Sequence, residues 1–77
     1  MLTEEGYRTA DLWQAAFIRS RGARLTGTTR QGTRVLFEFK DRQVCERLAN
    51  EYLNNGKVDI SSLRAAWNDL KGLIFDR

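Results

Sequence analysis

The sequence predicts an α+β fold in which a β-hairpin packs on three helices, in the order α-β-β-α-α. Apolar residues recur with the 3.6-residue period of a helix in three segments, whereas residues 34–40 alternate with the two-residue period of a strand. The chain has no proline, so the glycines Gly22, Gly32 and Gly56 mark the boundaries between these segments. With 77 residues we expect a single domain, of which residues 1–6 fray.

The first helix is predicted over residues 10–21, with Thr9 as its N-cap and Gly22 in the left-handed position after its end. Its period gathers a core-facing stripe of Leu12, Trp13, Ala16, Phe17 and Ser20. Ile18 points away from this stripe, so we expect its side chain to be exposed.

The hairpin is predicted from strands at residues 25–30 and 34–40, with Gly32 supplying the positive φ that their connection needs. A two-stranded hairpin is not stable alone, so Val35, Phe37 and Phe39 should pack on the helices. Gly27 indicates a bulge or the close approach of another backbone. The outer face is then expected to carry Arg24, Thr26, Thr28, Arg30, Arg34, Leu36, Glu38 and Lys40.

Two further helices complete the prediction. The second spans residues 42–54 behind Asp41 as N-cap, and the third runs to about residue 75 behind Ser61 or Ser62. Between them, Val58 and Ile60 are expected to fill the core. The predicted core consists of Leu12, Trp13, Phe17, Val35, Phe37, Phe39, Leu48, Tyr52, Trp67 and Leu70.

Three stretches resemble an uncharacterised family of short bacterial and phage proteins. The stretches are Tyr7-Arg8-Thr9-Ala10-Asp11-Leu12-Trp13-Gln14-Ala15-Ala16-Phe17-Ile18, Gly32-x-Arg34-Val35-x-Phe37-x-Phe39 and Leu70-Lys71-Gly72-Leu73-Ile74. The family opens Tyr-x-Thr-Ser-Asp-Leu-Tyr-x-Ala-Ala-Tyr-Leu and continues through a hairpin to a closing helix. Ala10, Trp13 and Phe17 stand where the family has hydroxyl residues. The resemblance implies the same order of elements and, because the family has no assigned activity, it implies no chemistry.

The composition excludes the common catalytic and metal-binding patterns. The chain has no histidine and one cysteine, which rules out zinc sites of the Cys/His type and nucleophilic Cys-His or Ser-His pairs. The glycines are scattered singly, so there is no phosphate-binding glycine loop. Cys45 lies within an apolar stripe, where a small buried hydrophobe is expected. We expect no enzyme, no metal and no cofactor.

The cellular setting is expected to be the cytoplasm. One cysteine cannot form an intrachain disulfide, the first residues carry acids where a signal peptide carries bases, and no apolar stretch approaches the roughly 20 residues that span a bilayer. No membrane partner is expected.

The positive charge is concentrated in the first half of the chain. Residues 19–34 hold five arginines and no acid, while residues 38–77 hold seven bases and seven acids. A basic hairpin suits phosphate, so one hypothesis is nucleic-acid binding. Its candidate residues are Arg19, Arg21, Arg24, Arg30, Arg34 and Lys40. The predicted outer face has no aromatic side chains for base stacking, and the sequence shows no helix-turn-helix motif, so neither feature supports this hypothesis. Arginine outnumbers lysine ten to three over the whole chain, and this general preference for arginine also explains much of the cluster.

Leftover apolar residues favour a different hypothesis. Ile18, Leu36, Leu53 and Phe75 all point away from the predicted core, and a patch of such residues marks a partner surface. Because a core of this size is small, association would add to stability. We therefore expect foremost a non-catalytic interaction module that self-associates or docks to another protein, with nucleic-acid binding as the alternative.

Overall fold

Six elements follow one another in the computed structural model of the protein, which describes residues 6–75. They are β1 (Tyr7–Thr9), α1 (Leu12–Ser20), β2 (Leu25–Gln31), β3 (Arg34–Phe39), α2 (Arg42–Leu53) and α3 (Ile60–Phe75). The strands form one antiparallel sheet in the order β1-β3-β2, and the three helices pack on it. The α+β class and the hairpin on three helices are confirmed, and β1 is an additional edge strand that the sequence analysis did not predict.

The chain enters α1 from β1, and this moves the helix start. Thr9 pairs with Phe37 of β3 and precedes the helix start at Leu12 by three residues, so it is not the N-cap that the sequence predicts. Asp11 caps α1 instead, its carboxylate accepting a hydrogen bond of 3.1 Å from the amide of Gln14. The predicted fraying of residues 1–6 falls largely on residues 1–5, which lie outside the described residues.

A bulge near the start of β2 changes which side chains share a face. Leu25 pairs with Phe39, but the next pair is Gly27 with Glu38, which leaves Thr26 as the extra residue. The Thr26 hydroxyl donates to the carbonyl oxygen of Glu38 at 3.1 Å, so the irregular stretch remains bonded to β3. A single extra residue reverses the alternation of everything beyond it.

Beyond the bulge, Thr28 pairs with Phe37 and Arg30 pairs with Val35. Directly paired residues point to the same side of an antiparallel sheet, so both side chains lie on the side of the helices. The prediction that Thr28 and Arg30 share the outer face with Arg34 is therefore wrong. Gly27 indicates the bulge in the sequence, but the prediction of the outer face continues the alternation of β2 through Gly27 and so misses the reversal.

The helices form one layer in which α1 is central, packed against the sheet and against both α2 and α3. Four consecutive residues of α1, from Ala15 to Ile18, are buried, because neighbours surround the helix on several sides. Ile18 has no exposed surface, so the prediction that it points to solvent is wrong. A single amphipathic stripe predicts the buried residues of a helix that packs on one side only. It does not predict them for α1, which has neighbours on several sides.

The other two helices begin behind aspartates. Asp41 caps α2 as predicted, whereas α3 is capped by Asp59, whose carboxylate accepts from the amide of Ser62 at 3.0 Å. The cap predicted at Ser61 or Ser62 is therefore wrong. Ile60 starts α3 and is 78% exposed, so it does not fill the core. Val58 is partly buried and packs against the core.

Most of the predicted core is confirmed. Phe17, Phe37, Phe39, Leu48 and Leu70 are buried, and Leu12, Val35, Tyr52 and Trp67 are partly buried against them. Trp13 differs, because it is 50% exposed and stacks on Trp67 with ring centroids 5.2 Å apart.

Candidate nucleic-acid interface

One face of the sheet packs on the helices, and the other, which we call the open face, points away from them. The pairings of β1 and β2 with β3 determine its composition, because paired residues share a face. The open face consists of Arg8, Gly27, Thr29, Gln31, Arg34, Leu36 and Glu38. Leu36 is its only large apolar residue, and the face carries no aromatic side chain.

The single acid of the open face is neutralised within it. Glu38 forms an ion pair with Arg8, with 3.2 Å between Arg8 Nε and Glu38 Oε2. The hydroxyl of Thr29 donates to the same carboxylate oxygen at 2.8 Å. Three strands thus contribute one side chain each, and the acid has little remaining capacity to balance another base.

Each of the other acids among residues 6–75 either forms an ion pair with an arginine or caps the start of a helix. Asp11, Asp41 and Asp59 cap the three helices. The remaining pairs are Glu46 with Arg42 at 2.9 Å, Glu51 with Arg21 at 2.6 Å and Asp69 with Arg19 at 3.7 Å. Such exposed pairs contribute little stability, but they cancel charge locally. The excess positive charge therefore belongs to the bases outside these pairs.

The six predicted nucleic-acid-binding residues fall into three places. Arg19 and Arg21 lie at the end of α1, where both are ion-paired and Arg21 also lies over the ring of Phe17 at 5.6 Å. Arg30 is exposed on the helix side of the hairpin. It lines an open groove of about 450 Å³ together with Thr28, Val35 and Leu73.

The other three, Arg24, Arg34 and Lys40, lie on the outer side of the hairpin. All are exposed, and within the described part of the chain no acid lies within ion-pair distance of any of them. Arg24 and Lys40 stand one residue beyond the pair Leu25–Phe39 and are joined by a 2.9 Å hydrogen bond from the Lys40 amide to the Arg24 carbonyl. Arg34 stands at the opposite end, beside Gln31.

Two shallow depressions on the surface are lined in part by basic residues. One, of about 270 Å³, is lined by Arg24 and Lys40 together with Arg21 and Asp41. The other, of about 590 Å³, lies between β1 and the bulge and is lined by Gly6, Tyr7, Arg8, Thr26, Glu38 and Arg42. Both are open to solvent and have mixed linings that include charged side chains, whereas small-molecule sites are mostly apolar and enclosed.

The four predicted interface residues do not form one patch. Ile18 is buried, Leu36 is partly buried on the open face, and Leu53 is 71% exposed at the end of α2 in the helical layer. The side chain of Phe75 lies outside what the structure describes. Leu36 and Leu53 belong to opposite layers of the molecule, so no shared apolar surface includes both.

Three titratable groups among the described residues have raised pKa values. Cys45 is buried, and its desolvation, with a smaller effect of Asp41, raises the pKa of the thiol above its ordinary value. Desolvation also raises the pKa of Tyr7 and of Tyr52. The hydroxyl of Tyr7 donates to Gln14 Oε1 at 2.8 Å. These groups are structural, and Cys45 is the small buried hydrophobe that the sequence predicted.

The described residues include neither a metal-binding cluster nor a membrane-spanning helix. Between residues 6 and 75, no three acidic or cysteine side chains are grouped so that they could hold a metal ion. Nor is any helix of that region both long and apolar enough to cross a membrane.

Four residues of the open face are not part of the outer face that the sequence predicts: Arg8, Gly27, Thr29 and Gln31. Arg8 belongs to β1, and the one signal for that strand is the β-favouring pair Tyr7 and Thr9 on either side of it. Gln31 reaches the open face because the bulge reverses the alternation of β2.

Comparison with protein-family models, with curated proteins and with solved structures gives no match to this chain.

Proposed function

We propose that the protein is a non-catalytic, cytoplasmic module that binds the phosphate backbone of nucleic acid through the outer side of its sheet. One observation carries the proposal. Each described acid pairs with an arginine or caps a helix, whereas Arg24, Arg34 and Lys40 share the outer side of the hairpin and have no described acid within ion-pair distance. Phosphates would supply the missing negative charge and release counterions on binding.

The spacing of these bases suits an extended polyanion. Arg34 and Lys40 are six residues apart along β3, which corresponds to roughly 20 Å at about 3.3 Å per residue. A duplex carries one negative charge per ~1.7 Å of its axis, so a hairpin of this length would lie along several phosphates. Arginine adds the fork of donors that fits two phosphate oxygens.

The open face favours backbone contact over base stacking. Single-strand binders stack bases on aromatic side chains, and the open face carries none. Phe37 and Phe39 of β3 are buried beneath the helices, while the exposed ring of Trp13 lies in the helical layer. Binding through this face would therefore depend mainly on charge.

The proposal is tested by a salt series with two matched charge variants. The first replaces Arg24, Arg34 and Lys40 with glutamine, and the second replaces Arg47, Lys57 and Arg64, which are exposed bases on and between α2 and α3. Both remove three positive charges, so any difference between them reports position. Affinity for a nonspecific DNA duplex is measured by fluorescence anisotropy at increasing salt.

We expect the wild-type affinity to fall steeply with salt, and the first variant to lose about one unit of log-log slope for each phosphate contact removed. The second variant should keep most of the wild-type slope. Equal losses in the two variants, or no salt-dependent binding by the wild type to duplex or single-stranded DNA or to RNA, would refute the proposal.

Self-association is a second candidate, supported by the exposure of Trp13. This ring is half exposed and stacked on Trp67, and exposed tryptophans are frequent anchors of protein interfaces. The partner would be a second copy of the chain, whose tryptophan pair would cover the first. Light scattering over a range of protein concentrations tests this: a mass that doubles with concentration in the wild type and stays monomeric in Trp13→Ala supports it, and a monomer throughout excludes it.

A further inference from the structure

We infer that the nucleic acid is duplex DNA, and that the end of the hairpin enters its major groove with Gln31 and Arg34 facing the bases. This inference rests on the proposed function. It starts from the short length of β1, which pairs with β3 only from Phe37 to Phe39. From Thr29 to Leu36 the sheet has two strands, so the hairpin projects as a ribbon beyond the third.

A two-stranded ribbon is the β structure that the major groove of B-DNA admits. The groove is about 12 Å wide, while two paired strands lie ~4.8 Å apart. The turn at Gly32 and Thr33 occupies two residues, and Gly32 has φ of 61°, so the end of the ribbon is narrow. The major groove of A-form RNA is too deep and narrow for side chains to read, which favours DNA.

The two side chains at the end of the open face are those that read bases. Gln31 and Arg34 are direct partners across the ladder, so their side chains lie side by side on one face. Arginine pairs bidentately with O6 and N7 of guanine, and glutamine pairs with N6 and N7 of adenine. Both residues are exposed, and within the described residues neither has a side-chain hydrogen bond or ion pair.

The rest of the outer side would hold the ribbon in register. Arg24 and Lys40 lie at the far end of the hairpin, where they would contact phosphates and add affinity without sequence preference. Arg30 provides an internal control, because it belongs to the same end of the hairpin but points to the helix side, beside Val35. One end of the hairpin would thus contact the bases, and the other end would contact the phosphates.

The test is selection from a pool of randomised DNA duplexes, followed by affinity measurement on the enriched sequence and on a scrambled one. We expect the wild type to prefer the enriched duplex by roughly 5- to 150-fold, the range of one good bidentate pair. Arg34→Ala should abolish the preference for guanine, and Gln31→Ala the preference for adenine. Arg30→Ala should leave the preference unchanged.

Arg34→Lys makes the test independent of charge. It keeps the positive charge but loses the planar fork, so the salt slope should persist while the guanine preference falls. Far-ultraviolet circular dichroism confirms that each variant is folded.

The competing outcomes separate the inference from the proposed function. Salt-dependent binding with no enriched sequence, or tighter binding to single-stranded DNA or duplex RNA, overturns the inference and leaves the proposed function standing. Absence of binding to all of these overturns both.

Discussion

At the scale of single residues, aspartates organise the starts of all three helices. Asp11, Asp41 and Asp59 each accept a hydrogen bond from the amide three residues onward, at 3.1, 3.4 and 3.0 Å. These bonds satisfy amides that have no partner within a helix. The same three acids are thereby held at helix starts, and among them Asp41 lies beside Arg24 and Lys40.

The cap of α3 gives the first prediction. Asp59→Ala should lower the free energy of unfolding by about 1 kcal/mol, because the amide of Ser62 loses its acceptor. Ser61→Ala is the control and should change it by less than about 0.5 kcal/mol, as expected for a surface substitution. Urea denaturation measures both. A larger loss of stability in Ser61→Ala would indicate that Ser61 caps α3, as the sequence predicts.

At the scale of elements, the periodic segments could be predicted from the sequence, while the contacts between distant segments could not. The alternation of Val35, Phe37 and Phe39 predicted β3 and its buried side correctly. β1 is three residues long and depends on pairing with a strand about thirty residues away. Local propensity contains little information on such a pairing.

The candidate site shows the same limit. Arg24, Arg34 and Lys40 lie on the predicted side of the hairpin, because strand alternation determines their positions. Arg30 does not, because the bulge at Thr26 inserts one residue into β2. The periodicity of a single helix predicts one buried side, and it therefore places Ile18 at the surface. In the structure the neighbouring elements enclose α1, so Ile18 is buried.

The packing of β1 against β3 gives a prediction with two opposite outcomes. A Cβ atom at Gly6 would lie 2.8 Å from the carbonyl oxygen of Phe39, so Gly6→Ala should lower stability by about 1–3 kcal/mol. At Gly72, inside α3, the same atom would meet nothing within 4 Å, so Gly72→Ala should raise stability by about 0.5–1 kcal/mol. Urea denaturation of the pair decides; an unchanged Gly6→Ala would contradict the close approach.

At the scale of the whole molecule, the fold is a two-layer arrangement with distinct surfaces. The helices cover one side of the sheet and carry the exposed apolar residues Trp13, Leu53, Ile60 and Leu73. The other side of the sheet is polar and basic. This division separates the two candidate functions onto different surfaces, so variants of one leave the other intact.

Three weak acids, the buried Cys45 and the partly buried Tyr7 and Tyr52, predict how stability depends on pH. The folded state raises the pKa of Cys45, Tyr7 and Tyr52 above ordinary values of 9.0, 10.0 and 10.0. The unfolded chain therefore loses these protons first, so stability should be full below pH 9.0 and fall as the pH rises through 10.0. Urea denaturation across this range measures it. Tyr7→Phe should flatten part of the decline, and constant stability throughout would contradict the prediction.

The most direct test of the account compares Arg34→Ala with Arg30→Ala in binding to a DNA duplex at about 0.15 M salt, where charges act over only ~8 Å. The two arginines are four residues apart in one hairpin, exposed and without an ion pair among the described residues, but on opposite faces. The account predicts that Arg34→Ala weakens binding to the duplex, while Arg30→Ala leaves the affinity nearly unchanged. Equal losses, or a larger loss in Arg30→Ala, would contradict it.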